Sequence, residues 1–383
     1  MADSSGLKQA FKDKADEFYT QLVDIELELK HYKDYFEGKV VLCNCDDPYE
    51  SNFFKFFAIN FNYLKIKKLI ATCYDGSPLV GEQLNLFEVL NNDKNKKTAF
   101  KIEINDVPDL NNDGATDISD IELLLKTKTN ILTNLKENGD FRSDECIKLL
   151  EEADVVVTNP PFSLFREYVA QLIKYKKKFI IIGNQNAITY KDFFPYLMNN
   201  EIWLGCSIHS GDREFRVPDD YEIRSKSLRT DKNGHKYIRV VGVRWFTNLD
   251  YKEKHELLTL YKNYSPDSFP KLDNYDAINI NSTSDIPCDY DGVMAVPITF
   301  LDKYNPDQFE ILGLSQKYGF GLESNKTYES YKELKHDGTP TGSSGKKTNG
   351  NPVMEGIPSQ GNYYSDGERN VHSLYGRIFI RRK

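Results

Sequence analysis

The chain is poor in the features that mark secreted or membrane proteins. Its six cysteines (Cys43, Cys45, Cys73, Cys146, Cys206 and Cys288) are scattered over 383 residues, so neither a zinc framework nor a disulfide ladder is indicated. Cys43 and Cys45, two apart on one strand, would share a face without forming a spaced ligand set. The N-terminus is polar and lacks an apolar signal region, and no run approaches the roughly 18 apolar residues of a membrane span. These absences predict a reducing, cytoplasmic setting. Positive charge is also short: the formal net charge is -8, which excludes a simple DNA-coating protein and confines any nucleic-acid surface to a local patch. No internal repeat is found. The length suits two domains or one large α/β domain with insertions. Aromatics are plentiful, with 24 Tyr and 23 Phe, and supply either stacking surfaces or core packing.

The most informative segment is Asn159-Pro160-Pro161-Phe162, which closes the apolar run Ala153-Asp154-Val155-Val156-Val157-Thr158. A short Val-rich run bounded by a turn reads as a buried parallel strand, so the motif falls at its carboxyl end, where open α/β sheets place their ligands. Two prolines fix φ and remove two backbone donors, leaving carbonyls in a rigid loop beside the Asn side-chain oxygen. Acceptors next to an aromatic face suit an exocyclic amino group on a planar ring. The competing reading is a strand-terminating turn followed by a core Phe.

Around the motif, strand and helix largely alternate. Apolar residues at helical spacing from Leu7 to Phe36 end at Gly38, a natural C-cap. Strands are predicted at Lys39–Cys45, Lys67–Cys73, Ala99–Ile104 and Phe179–Ile182. Helices are predicted at Asn52–Tyr63, around Cys146–Glu152 and at Leu164–Tyr175. This is the pattern of a doubly wound sheet. After about Trp203 shorter strands take over, including Tyr237–Phe246, with a hairpin turn at Asp231–Gly234. His336–Pro352, rich in Gly, Ser and Thr, reads as a mobile loop, and a last strand runs from Arg377 to Lys383.

Asn-Pro-Pro-Phe resembles the motif of S-adenosylmethionine-dependent amino methyltransferases, chiefly those that methylate adenine N6 in DNA. The resemblance implies that Asn159 and the Pro160 carbonyl accept the amino hydrogens of a flipped-out adenine, Pro161 stiffens the loop and Phe162 stacks on the base. Phe18-Tyr19-Thr20 is similar to the family's motif before the first strand that contacts the methionine end of the cofactor. The first strand ends in Cys43-Asn44-Cys45-Asp46-Asp47-Pro48 and departs from the family in lacking a Gly-rich turn. A donor without pyrophosphate does not demand phosphate-cradling glycines. Cys45, Asp46 and Asp47 are cofactor candidates there, with N-capping of the next helix the alternative for the two aspartates. Asp75, ending the second strand, stands where an acidic residue accepts ribose hydroxyls. Asp140, in Gly139-Asp140-Phe141, stands where the family reads the cofactor's adenine amino group, and Phe141 would pack on that ring; capping of the following helix competes. Together with Trp245-Phe246-Thr247-Asn248 and the basic C-terminal strand, these segments resemble the EcoRI-type adenine-specific DNA methyltransferase family over most of the chain.

A second signal is of another class. Asp109-Leu110-Asn111-Asn112-Asp113-Gly114-Ala115-Thr116-Asp117-Ile118-Ser119-Asp120 matches a calcium loop, with side-chain oxygens at Asp109, Asn111, Asp113, Asp117 and Asp120, the carbonyl of Ala115 at the seventh place and glycine at the sixth. Bound calcium would act as a structural staple, and the alternative is a solvated Asp/Asn turn. Arg213, Arg216, Lys346 and Lys347 are candidates for holding DNA.

The expected architecture is therefore α/β: a Rossmann-like doubly wound methyltransferase sheet in a catalytic domain over 1–200, followed by a mixed α+β target-recognition region over 201–383. The expected activity is methylation of adenine N6 in double-stranded DNA with S-adenosyl-L-methionine as cofactor. Cytosine N4 or a protein glutamine are alternative targets for the same motif, and a calcium-dependent protein-binding module is the non-enzyme alternative. No membrane partner is expected. A cognate restriction endonuclease is compatible with the resemblance, though no residue encodes it.

Overall fold

The computed structural model describes residues 20–45, 51–74, 99–127, 132–209, 212–217, 228–315, 321–348 and 350–383. The chain forms two compact units, one of Met1–Gln185 with Leu204–Tyr251 and one of Asn186–Trp203 with Lys252–Lys383. A single cut at residue 200 does not separate them, because the chain leaves the first unit and returns to it.

The first unit is organised by an eight-stranded sheet. In chain order its strands are β1 (Val40–Cys43), β2 (Lys68–Cys73), β3 (Phe100–Ile104), β4 (Leu132–Asn134), β5 (Val155–Thr158), β6 (Lys178–Asn184), β7 (Trp203–Leu204) and β11 (Val243–Thr247), and their spatial order is β4-β3-β2-β1-β5-β6-β11-β7. The four central strands β2, β1, β5 and β6 are parallel, with Val41 opposite Val155 and Val155 opposite Lys178. β3 and β11 join antiparallel. Burial follows this arrangement. β1 and β5 are buried at every residue, as central parallel strands covered on both faces must be, whereas β3 alternates between buried and half-buried positions.

Helices α1 (Leu22–Leu29), α2 (Asn52–Ile59), α3 (Ile118–Thr127), α4 (Asp144–Glu152) and α5 (Phe165–Lys174) complete this unit's described elements of that kind. α2 begins at Ser51, whose hydroxyl accepts from Phe53 N and Phe54 N, and α4 begins at Ser143, whose hydroxyl accepts from Cys146 N. The capping weighed as the alternative role for Asp46 or Asp47 and for Asp140 is therefore supplied by serines. Glu28 of α1 is fully buried, yet its carboxylate receives the Tyr32 hydroxyl, the backbone N–H groups of Cys206 and Ser207 and the Ser207 hydroxyl. Four donors offset its desolvation.

A small antiparallel sheet, β8 (Arg213–Val217), β9 (Leu228–Thr230) and β10 (Lys236–Val240), lies in the order β8-β10-β9. The segment Tyr237–Phe246, expected as one strand, is two: Val241 and Gly242 break it, Gly242 taking φ +75°. β10 then serves the small sheet and β11 the large one.

In the second unit, one α-helix, α6 (Phe194–Met198), occurs among the described residues, and the other regular elements there are strands and short 3-10 turns. This unit is more β-rich than the expected α+β region. Strands β12 (Ile278–Asn279), β13 (Met294–Pro297), β14 (Phe309–Leu314) and β20 (Arg377–Arg382) form a sheet in the order β12-β13-β20-β14. The other sheet is β16-β15-β18-β19-β17, from β15 (Lys332–Leu334), β16 (Pro340–Ser344), β17 (Val353–Glu355), β18 (Tyr363–Ser365) and β19 (Asn370–Ser373). The 336–352 stretch is thus not the loop expected from its composition: β16 and a 3-10 turn at Gly345–Thr348 order much of it. Among the described residues no helix is long and apolar enough to cross a membrane.

Candidate active site

The central strands run β1 to β2 on one side and β5 to β6 on the other, so the strand order reverses between β1 and β5. An open α/β sheet leaves a crevice at the carboxyl ends there. Asn44 follows β1, Tyr74 follows β2 and Asn159 follows β5. A cleft enclosing about 550 Å³, part of it open to solvent, is lined by Asn44, Cys45, Tyr74, the Gly139–Arg142 turn, Pro161, Ser163 and Leu164.

Of the sequence motif, Pro161 lines this cleft together with Ser163 and Leu164 just beyond it. Asn159 is 3% exposed, Pro160 is buried, and Pro161 precedes a 3-10 turn, Phe162–Leu164, that leads into α5. Phe162 is half-buried and meets Phe215 of β8 edge to face. The opposite wall is the Gly139 turn. Gly139 has φ +77°, and a Cβ there would stand 2.4 Å from the Cys73 carbonyl oxygen, so only glycine lets this turn lie against the end of β2.

Asp140 is held by its neighbour. Arg142 donates Nε to Asp140 Oδ1 at 2.9 Å and a terminal nitrogen to Oδ2 at 2.6 Å, and its other terminal nitrogen reaches Glu167 at 2.8 Å. The hydrogen bonds to Asp140 lead in raising the Arg142 pKa above its already high value. Phe141 is buried edge-on against Tyr168, 5.0 Å between centroids, while still lining the cleft. The Tyr168 hydroxyl donates to Asn44 Oδ1, which fixes the amide at the end of β1 from the helix that follows the Asn-Pro-Pro-Phe loop.

Thr20 is buried beside the start of α2, its carbonyl accepting Asn52 Nδ2 at 2.7 Å, and its own Oγ1 is buried without a hydrogen-bond partner. Such an orphan suits a ligand group. The donor set fits a nucleoside joined to an amino acid: Tyr74 and Phe141 offer aromatic surface, Asn44 and Asp140 polar groups. Phe18, Tyr19, Asp46, Asp47 and Asp75 lie outside the described residues. Asn44, Tyr74, Arg142, Ser163 and Leu164 are cleft residues that motif reading missed. Their signal was positional, since each stands next to a motif residue or a strand end.

The chain matches the family model described as adenine-specific methyltransferase EcoRI over residues 6–383. It belongs to that family. It is 48% identical over 312 residues to the type II methyltransferase M.EcoRI of Escherichia coli, covering 80% of this chain and 88% of the relative. Against M.MgeORF184P of Mycoplasma genitalium the identity is 37% over 309 residues, 79% of this chain and 84% of the relative, and against M.MpnI of Mycoplasma pneumoniae 35% over 308 residues with the same coverage. No solved structure matches the chain significantly. Membership of the EcoRI-type family makes the chain an enzyme, an adenine-specific DNA methyltransferase, and implies S-adenosylmethionine as methyl donor and DNA as substrate.

The same match spans the calcium-like loop, which is part of the enzyme and not a separate module. Its carboxylates accept backbone hydrogens: Asp120 from Leu110, Asn111 and Asp117, Asp109 from Gly114, Asp113 from Ala115, and Asp117 from Ser119, while the Asn111 amide oxygen accepts from Asp113. Asx turns close the loop, and calcium finds no support. The DNA candidates are also engaged. Arg213 pairs with Asp24, Arg216 meets His235 Nδ1 at 3.0 Å, and Lys347 pairs with Glu333 at 3.0 Å; Lys346 is exposed beside it.

Proposed function

We propose that the eight-stranded sheet is a Rossmann-like methyltransferase sheet and that the enzyme extrudes adenine from duplex DNA into the cleft between β1 and β5 for methylation at N6. The observation that carries this is the placement of Asn159, buried, at the reversal point of the strand order. Asn159 Oδ1 and the Pro160 carbonyl would accept the two amino hydrogens of the target base, and Phe162 would stack on its ring. An amine held by both hydrogens is presented in one orientation, and alignment of this kind removes much of the barrier. When bound, S-adenosylmethionine supplies the electrophilic methyl group. Thr20, Asn44, Cys45, Tyr74, Asp140 and Phe141 would hold it, with Phe18, Tyr19, Asp46, Asp47 and Asp75 completing the set. The two acceptors hold the N–H bonds and leave the nitrogen lone pair to form the new bond; the methylated nitrogen then gives its surplus proton to solvent water, so no separate general base is needed. Target reading is assigned to the second unit, with Lys346 and Lys347 holding phosphate, and to Arg213 and Arg216 of the first.

The test is nucleoside mass spectrometry of duplex DNA incubated with the protein and labelled donor. N6-methyladenine is expected; label in N4-methylcytosine or in protein would overturn the assignment.

A further inference from the structure

The small sheet β8-β10-β9 has two unlike faces. Phe215, Val217, Ile238 and Val240 point inward and are buried in the same hydrophobic cluster against which Phe162 packs. The outward face alternates with them. Arg216 is opposite Tyr237, Glu214 opposite Arg239, and Arg229 opposite Tyr237. The guanidinium carbons of Arg229 and Arg216 lie 4.8 and 6.0 Å from the Tyr237 ring centroid. Arg229 and Arg239 remain 52% and 62% exposed, although paired with Glu214 and Asp212 respectively.

Resting on the reading that the substrate is duplex DNA, we propose that this face, built around Arg229, Tyr237 and Arg239, grips DNA backbone phosphates beside the base-extrusion loop. Three features favour a phosphate backbone over other partners. The guanidinium groups of Arg229 and Arg239 stand on adjacent strands of one sheet and suit anions, and the Tyr237 ring beside Arg229 orients that group. The chain as a whole is acidic, so a local basic face supplies the attraction that net charge does not. The face is also continuous with the site, since its inner side is joined to Phe162 through Phe215. Glu214 and Asp212 hold the arginines in place without DNA. Exposed pairs of this kind are weak and screened by salt, so a phosphate can displace the carboxylate readily. The first unit thereby carries a phosphate grip of its own, in addition to the one proposed for Lys346 and Lys347 of the second.

The experiment uses the full chain with a duplex known from the wild-type reaction to be methylated. Affinity is measured by fluorescence anisotropy over a range of salt concentrations, with cofactor binding as the check of folding. The double variant Arg229→Gln with Arg239→Gln is expected to bind DNA at least about tenfold more weakly, with a salt slope lower by roughly 0.9 for each phosphate that is no longer neutralised. Glu214→Gln is expected to bind more tightly, because it removes the carboxylate that competes for Arg229; a purely structural Glu214–Arg229 pair would give no gain. An unchanged affinity and slope in a double variant that still binds cofactor would overturn the inference, as would unchanged affinity in Glu214→Gln. An acidic protein as the true partner would produce that overturning result. A wild-type protein that methylates no adenine would instead refute the functional reading itself.

Discussion

Phe162 and Phe215 meet edge to face, ring centroids 6.4 Å apart at 86°, so the aromatic that closes the Asn-Pro-Pro-Phe loop leans on a strand of the small sheet. In the stacking role proposed for it, Phe162 is preoriented by packing, and its removal acts on two levels. Phe162→Ala should weaken base extrusion by about 1 to 3 kcal/mol, the usual worth of a base–aromatic stack. Phe215→Leu, which keeps apolar bulk but not the ring edge, should give a smaller loss. A fluorescent adenine analogue at the target position reports both. Equal signals in wild type and Phe162→Ala would remove Phe162 from the base's surroundings.

Asn159→Ala should reduce methyl transfer by about 3 kcal/mol or more, the usual cost of deleting a preorganised polar partner in the transition state. Donor binding should survive, since the cleft wall is made by other residues. Single-turnover kinetics with calorimetric donor binding separate the two, and near-normal turnover would dismiss the Asn159 role.

Gly139→Ala adds a Cβ 2.4 Å from the Cys73 carbonyl oxygen at a left-handed backbone position. The turn must move off the end of β2, so donor affinity should fall at least about tenfold, from the roughly 1 to 2 kcal/mol such strain costs. The circular dichroism spectrum should be retained. Unaltered donor affinity would show that this turn does not contact the cofactor.

The 109–120 loop should be indifferent to metal. Adding calcium or chelator should leave Tm unchanged, whereas Asp120→Ala, which removes the acceptor of three backbone hydrogens, should lower Tm by several degrees. Differential scanning calorimetry decides; a calcium-dependent rise in Tm would restore the ion as a staple.

Acid should destabilise the second unit through two carboxylates. Burial alone would raise the Asp273 pKa, but hydrogen bonds from Lys326, Tyr328 and Arg369 outweigh it and hold the group down at about 2. Burial likewise works against Glu333, yet Thr341, Lys347 and Asn362 hold it down at about 2. A depressed folded pKa gives stability that is complete above the unfolded carboxylate range near 4 and is lost as pH falls toward 2. Urea midpoints should therefore drop between pH 5 and pH 2.5, and less steeply in Asp273→Asn. Parallel slopes for the variant and wild type would assign the acid sensitivity elsewhere.

Much of the first unit was legible in the sequence because its signals are local. The Val-rich run at β5, the helices α4 and α5 and the Asp231–Gly234 turn each follow from a few adjacent residues. What the sequence concealed depends on partners far along the chain. Tyr237–Phe246 looks continuous because its apolar pattern is unbroken; only pairing β10 with β8, and β11 with β6, shows that Gly242 divides it. Composition misled at 336–352, where Gly, Ser and Thr form β16 because β15 supplies a hydrogen-bonding edge. At Asp140, capping stood in the sequence as the alternative to cofactor contact; Ser143 takes the cap at the helix start, and Arg142 donates to both carboxylate oxygens.

The return of the chain to its first unit bears on how the protein is made. β11 pairs with β6 from Val243 to Thr247, so a ribosome that has released everything through β6 has still not delivered the strand that covers that edge. The growing chain carries an open sheet margin until the excursion of Asn186–Trp203 and the small sheet have emerged. Truncations ending before Thr247 should accordingly yield aggregating fragments, and a fragment meant to retain the eight-stranded sheet must extend to about Tyr251.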